Sequence, residues 1–517
     1  MDERPSLNPL RAGMAQELAV DPCVLVIFGA SGDLTARKLV PGIYNLARNR
    51  LLPSAFALLG FARRSVDDET FRGRMRDAVA RFSRHKPLDS TVWDDLASRI
   101  GYVQGSFDDP AAYDRLKARL DELDRTRGTL GGRTFYLAVP PSETRSVVRN
   151  LKRAGLVDMP SPGEQRPSAR VVVEKPFGFD LASAQELNRD LSSELHERQI
   201  FRIDHYLGKE TVQNLLVLRF GNSIFEPIWS RSHVSHVELT VAEHIGIEGR
   251  GRFYEETGLM RDVVQNHALQ LLSLVAMEAP IAWDADAVRD EKVKVLRALR
   301  PFADLDAVKQ ATVRGQYTSG IVRGDQVVGY RQESDVNVES QVETFLSLHM
   351  RLDNWRWGGV PFYLRAGKRL PKRTTEIALH FRPLPHPLFF AAPGASDRPN
   401  TLVLRIQPDE GIALRFATKI PGQTIAIREV AMDFRYGTAF GGESPEAYER
   451  LLLDTMRGDA TLFTRHDEVE AQWAYVDPMQ RAWQTNTVPL STYAAGTWGP
   501  PAAHELLARQ GHHWSNP

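Results

Sequence analysis

The chain has 517 residues, 42% hydrophobic and 25% charged, long enough for large buried cores and too long for one small domain. Lys plus Arg and Asp plus Glu number 65 each, so no global field draws it to nucleic acid or to an anionic membrane, and any anionic ligand has to be captured by local basic groups. Cys23 is the single cysteine, which excludes an intramolecular disulfide framework and a Cys-rich zinc site and fits a reducing compartment.

Residues 1–20 read as a loose tail. They hold no apolar core of a signal peptide, and Asp2, Glu3 and Glu17 argue against an acid-poor transit peptide. No stretch approaches the roughly 20 apolar residues of a membrane helix, so a cytoplasmic location is expected. Residues 24–28 are wholly apolar and run into a glycine turn, after which 34–52 shows helical spacing: a buried parallel strand feeding a helix. A second apolar run, 56–61, is followed by helical and loop material, then by strand patterns at 134–139, stopped by Pro140-Pro141, at 170–173 and at 199–203. Short apolar strands alternating with helices predict an α/β doubly wound, Rossmann-like dinucleotide-binding domain over 21–204. From 205 to 517 the texture changes, and the alternation at 236–241, 376–381 and 401–406 predicts an α+β domain with a large, mainly antiparallel sheet. Residues 385–400, with prolines and small residues between apolar patches, read as a surface loop.

Gly29-Ala30-Ser31-Gly32-Asp33-Leu34 lies where the first strand meets the first helix, so backbone N–H groups and the helix dipole can receive a pyrophosphate. The pattern is Gly-x-x-Gly rather than the full three-glycine fingerprint, and a turn that merely caps a helix is the plainer alternative. After the second strand come Arg63-Arg64-Ser65 where an NAD site usually has an acid. A guanidinium fork there suits a 2′-phosphate and favours NADP, with NAD and an ordinary basic turn left open.

Asp204-His205-Tyr206-Leu207-Gly208-Lys209-Glu210 joins a strand to a helix predicted over 210–218. Three donors and a helix N-terminus converge there, a fitting receptor for a phosphate ester. Residues 258–277 read as an amphipathic helix with His267 on its apolar stripe, either a satisfied core histidine or a base. Oxidising a hemiacetal hydroxyl needs such a base, which needs an acceptor on its other ring nitrogen. Asp262, five residues away, should lie about 140° around an α-helix from His267, so Asp204 is the expected partner. Asp262 and Glu243 are then left to accept hydrogen bonds from sugar hydroxyls. Adjacent His512 and His513 have no second ligand pair, read as a solvated tail, and give no reason to expect a metal.

The glycine turn, Glu174-Lys175-Pro176-Phe177-Gly178, the run from Arg202 to Glu210, Arg261-Asp262 with Asn266-His267, and Arg365-Ala366-Gly367-Lys368 together resemble the glucose-6-phosphate dehydrogenase family, in its order and over most of the chain. The resemblance implies oxidation of glucose 6-phosphate with NADP, His267 as general base and Asp204 as its partner. It implies that His205, Tyr206 and Lys209 hold the phosphate, and that Lys175, Glu243, Asp262, Lys368 and, among the basics after it, Arg373 meet the substrate. Gly29, Ser31, Gly32, Asp33, Leu34, Arg63 and again Lys175 would meet the cofactor. It also implies a cis peptide before Pro176 and a homodimer or homotetramer built through the second domain's sheet. A broader group of sugar and inositol oxidoreductases shares the Glu-Lys-Pro motif without requiring a phosphorylated substrate.

Overall fold

The computed structural model describes residues 20–160, 168–386, 388–389, 399–440, 444–485 and 487–517. The expected tail, apart from Val20, and most of the expected loop at 385–400 lie outside these residues.

Six parallel strands form the first sheet: β1 (Cys23–Phe28), β2 (Phe56–Ala62), β3 (Ile100–Gln104), β4 (Arg133–Leu137), β5 (Ala169–Val173) and β6 (Ile200–Arg202). Their order is β3-β2-β1-β4-β5-β6, the doubly wound arrangement. Every residue of β1, β2, β4 and β5 is buried, which is why β1 and β2 are continuous apolar runs and why β4 and β5 end in apolar runs, Phe135-Tyr136-Leu137 and Val171-Val172-Val173, after the buried polar residues Arg133, Thr134 and Arg170. β3 was not anticipated, because its Ile-Gly-Tyr-Val-Gln sequence lies at the sheet edge with Gln104 exposed and carries no such run. The first helix is shorter than 34–52: a π-turn, Thr35–Leu39, passes into an α-helix, Val40–Arg48.

A two-stranded ribbon, β9 (Gly320–Val322) with β10 (Asp325–Val327), stands apart from the second sheet. That sheet has nine strands: β7 (Val234–Ala242), β8 (Thr312–Thr318), β11 (Phe345–Arg351), β12 (Pro361–Gly367), β13 (Thr374–Phe381), β14 (Thr401–Gln407), β15 (Gly411–Lys419), β16 (Ile427–Arg435) and β17 (Leu490–Ala494). The order is β16-β15-β14-β13-β7-β12-β11-β8-β17, antiparallel except for β7 with β12 and β8 with β17. The chain then returns to the first sheet. Glu449, on the helix Ala447–Arg457, accepts from Asn45 at 2.7 Å and Arg84 at 2.8 Å, and Trp473, on the helix His466–Gln484, donates to the Phe177 carbonyl at 2.8 Å. These late helices fix the cleft between the two sheets.

The C-terminus is not a solvated tail. Trp514 is buried, and it and Trp498 each lie 4.5 Å from the Arg365 guanidinium, which also donates to the Ser515 carbonyl. His512 stacks on His236 at 4.0 Å, and His236 stacks on His380 at 4.2 Å with the planes 4° apart. His236, Glu238 and His380 bring ligand-type atoms within 4.8 Å of one another, and both imidazole Nε2 atoms meet the one carboxylate oxygen, Glu238 Oε1, at 3.4 Å from His236 and 3.2 Å from His380.

Candidate active site

The first βα turn forms where expected, and its glycines are demanded by contact. Gly29 has φ +81°, and a Cβ on it would lie 2.1 Å from the Ala138 carbonyl oxygen. A cavity of about 160 Å³ opens beside the turn, lined by Ser31, Gly32, Arg64, Arg74 and Tyr102. The Tyr102 hydroxyl donates to the Arg64 carbonyl at 2.6 Å, fixing that loop. Arg64 rather than Arg63 lines this cavity, while Arg63 lies within electrostatic reach of Asp108. First-turn N–H groups of a helix lack intrahelical acceptors, so the cradle offers backbone donors and two guanidinium groups to an anionic dinucleotide.

A larger cleft, about 800 Å³, is lined by Lys175, His205, Tyr206, Lys209, Glu243, Asp262, His267, Lys368 and Arg373, with Leu34 from the glycine turn at its edge. These nine residues come from five separate stretches of sequence, 175, 205–209, 243, 262–267 and 368–373, and face one space. Asp204 stands behind them, 2% exposed, with its Oδ1 2.5 Å from His267 Nδ1. The carboxylate accepts the Nδ1 proton, so the lone pair of neutral His267 is on Nε2, facing the cleft. Burial depresses the His267 pKa below the ordinary imidazole value, and Asp204 pulls partly in the other direction. Burial likewise opposes the charge on Asp204, but the neighbouring His267 outweighs it and holds the carboxyl well below its usual range.

The helix carrying His267 differs from the expected one. An α-helix, Gly251–Leu259, breaks at Gly258, and Met260–Ala268 is a π-helix that becomes an α-helix at Leu269–Ala276. A π-helix bonds residue i to i+5, so side chains five apart lie one above the other. Asp262 and His267 therefore share a face, contrary to the 140° separation expected of an α-helix. Lys175 shows this directly: its ammonium is 3.1 Å from His267 Nε2, 3.3 Å from Asp262 Oδ1 and 2.9 Å from the Asp262 carbonyl. Burial works against the Asp262 charge, and Lys175 outweighs it, holding that carboxyl below its ordinary value. Asp204 still takes the other ring nitrogen, as expected. The peptide between Lys175 and Pro176 is cis, also as expected.

At the far end of the cleft two cations share one neutral acceptor. The Gln407 side-chain carbonyl accepts from Lys209, whose ammonium also lies 3.9 Å from the Tyr206 ring centre, and from Arg373 at 3.2 Å. Burial and then the Arg373 charge push the Lys209 pKa down to about 8. Such a pair is under-neutralised, and an incoming dianion would relieve both groups. Glu243 is held by Lys368 at 2.5 Å.

Among the cleft residues that the sequence did not point to are Lys38, Gln407 and Tyr448. Lys38 is on the π-turn after the glycine loop and bonds Glu446 at 2.9 Å. Tyr448 stacks on His205 at 6.2 Å and, with Tyr136, hydrogen-bonds the buried Glu174 carboxylate next to Lys175. The one sequence cue for Gln407 is a polar residue ending an apolar strand immediately before Pro408.

A doubly wound sheet with a phosphate-type turn, beside a cleft in which a helix imidazole is paired with a carboxylate from the end of that sheet, defines a pyridine-nucleotide-dependent dehydrogenase. The family model "Glucose-6-phosphate dehydrogenase, NAD binding domain" matches residues 26–214 and "Glucose-6-phosphate dehydrogenase, C-terminal domain" matches 216–515. The chain belongs to the glucose-6-phosphate dehydrogenase family. It is 46% identical over 498 residues to the glucose-6-phosphate 1-dehydrogenase of Chlamydia muridarum, covering 96% of this chain and 97% of that protein. It is 47% identical over 512 residues to glucose-6-phosphate 1-dehydrogenase 2 of Mycobacterium tuberculosis, covering 99% and 98%. Among solved structures, a glucose-6-phosphate dehydrogenase in complex with its substrate glucose-6-phosphate superposes with TM-score 0.87 at 34% identity, over 96% of this chain and all of that one. The Mycobacterium avium enzyme superposes with TM-score 0.79 at 36% identity, over 96% and 99%.

Proposed function

We propose that the chain oxidises glucose 6-phosphate at its anomeric carbon to 6-phosphoglucono-1,5-lactone, with NADP as acceptor, in the cytoplasm. The observation that carries the reading is the common cleft, with an Nε2 lone pair at one end and an under-neutralised Lys209–Arg373 pair at the other. Residues 21–204 hold the cofactor, and 205–517 hold the sugar and build the oligomer.

His205, Tyr206, Lys209 and Arg373 bind the phosphate, joined by Gln407. Glu243, Asp262 and Lys368 bind sugar hydroxyls. Lys175 gives up its contact with His267 Nε2 to the anomeric hydroxyl and remains beside it as a donor. His267 removes the hydroxyl proton, the oxygen's electron pair closes the C1=O bond, and the hydrogen on C1 leaves with its bonding pair. Asp204 stabilises the imidazolium that results, and the proton passes later to solvent. When bound at Gly29, Ser31, Gly32, Asp33 and Leu34, NADP supplies the nicotinamide that accepts the hydride. Most of the rate gain comes from positioning, with the remote phosphate used as a handle.

The direct test follows reduced nicotinamide with glucose 6-phosphate or glucose as substrate, and with NADP or NAD. A large preference for the phosphate ester is expected, and equal turnover of glucose would instead favour a sugar oxidoreductase without a phosphate site. Arg64 and Arg74 flank the cavity that would take the 2′-phosphate, with Arg63 beside them. Arg64→Ala should raise KM for NADP by roughly 10-fold or more, the worth of one charge-assisted bond, and leave KM for NAD unchanged. Equal effects on both cofactors would remove Arg64 from that role.

Among the described residues no strand pairs with the outer edge of β16, and Met432, Phe434 and, just beyond it, Phe440 are exposed. Such an edge favours covering by a second copy. Light scattering should give two or four times the chain mass of 58.1 kDa. A monomer at working concentration would refute the assembly.

A further inference from the structure

Glu343 precedes β11 and touches no residue assigned to substrate or cofactor, yet its side chain ends inside the protein at the start of the catalytic helix. Leu259, at the N-cap position, has no side chain able to cap. The cap comes from outside: Glu343 Oε1 accepts from the Met260 N–H at 2.9 Å, and the Glu343 carbonyl accepts from the Leu259 N–H at 3.2 Å and from the Tyr254 hydroxyl at 3.4 Å. The approach is close enough to dictate the preceding residue. Gly258 has φ +61°, and a Cβ on it would lie 2.6 Å from Glu343 Oε1. One acidic residue thus ends the helix Gly251–Leu259 and starts the next.

No Lys, Arg or His is within ion-pair distance of this carboxylate among the described residues, and Arg314 and Arg261 act on it only through space. A buried carboxylate spent on backbone donors is costly unless the helix start it satisfies is needed in that one place. The next residue gives the reason. The Thr344 carbonyl accepts from the Lys368 N–H at 2.9 Å and from the Tyr493 hydroxyl at 3.2 Å, so the same dipeptide registers the helix carrying Asp262 and His267 against the strand end carrying Lys368.

We propose that Glu343 is a positioning residue: its carboxylate sets the start of the π-helix Met260–Ala268 and thereby the register that brings Asp262 and His267 together at Lys175. The proposal rests on the reading of His267 as base. The part that matters is an acceptor oxygen at the Met260 N–H, so Gln, which keeps it, should substitute and Ala should not. Glu343→Ala should lower kcat by about 10-fold or more while KM for glucose 6-phosphate moves by less than about threefold, since the phosphate is held by other elements. Glu343→Gln should recover most of kcat.

Amide hydrogen exchange on the full-length protein separates this proposal from the reading beneath it. In Glu343→Ala, exchange over 260–268 should quicken by about 10-fold or more while the first sheet keeps its protection, and Glu343→Gln should restore it. Unchanged exchange over 260–268, or faster exchange with kcat intact, overturns the proposal. So does a Gln variant as impaired as the Ala variant, because the acceptor would not then be what matters. Retained activity in a His267 variant would overturn the base assignment, and the exchange result would still decide whether Glu343 sets the register.

Discussion

Replacing His267 by Asn is expected to lower kcat by about 10²-fold or more while KM for glucose 6-phosphate changes by only a few fold. Asn is close to imidazole in reach and can still donate to Asp204, but it cannot accept a proton, so the substitution removes the base and leaves the pocket. Asp204→Asn tests the other half of the pair. Without the carboxylate, the Nδ1 proton loses its charged acceptor and the new amide can turn its NH2 to that nitrogen instead, so the tautomer with its lone pair on Nε2 is no longer favoured and kcat should fall.

The pH dependence has a definite sign. His267 must be neutral, and its pKa lies below the ordinary imidazole value because it is buried, so kcat/KM should hold on acidification until below that value and then fall. Asp204 raises this pKa, so Asp204→Asn should move the acid limb further down. The substrate phosphate, with a second pKa of about 6, titrates identically in both proteins, so the shift between the two profiles belongs to the imidazole. Full activity in His267→Asn, or an acid limb indifferent to residue 204, would require another base.

The first sheet was readable because burial on both faces writes a strand as an apolar run, unbroken in β1 and β2 and filling the last three residues of β4 and β5. β3 lies at an edge and escapes that rule. Asp204 and His267 could be paired from the sequence because the chemistry of a base demands an acceptor, whichever helix carries it. The shared face of Asp262 and His267 could not, because a period of 3.6 was assumed where the chain adopts a π-helix, and no local residue signals the change. The device that accompanies it, Glu343, is 83 residues downstream of Met260 and is visible only once the fold brings them together. The C-terminus misled for a similar reason: Trp514 becomes buried and His512 half-buried only because β7, β12 and β13 offer them a face.

Lys209→Gln is expected to lower kcat/KM for glucose 6-phosphate on the order of 10²-fold, the worth of a desolvated charge-assisted contact to phosphate, and to leave the far weaker reaction with glucose almost untouched. The selectivity for the phosphate ester should shrink by the same factor. The reason is in the resting cleft, where Lys209 and Arg373 crowd one amide oxygen of Gln407 and neither has an anionic partner within ion-pair distance among the described residues. Burial and Arg373 bring the Lys209 pKa to about 8, so in the free enzyme this cation is lost as pH rises through that value. An alkaline limb in kcat/KM near pH 8 should follow, absent from kcat, because bound phosphate stabilises the ammonium. Arg373→Gln removes the charge that adds to burial in depressing this pKa and should move that limb upward even as it weakens binding. Lys209→Arg should abolish the limb, since guanidinium does not titrate in this range. If Lys209→Gln slowed glucose and glucose 6-phosphate equally, or if the limb stayed in place in Lys209→Arg, the phosphate would have to be bound elsewhere in the cleft.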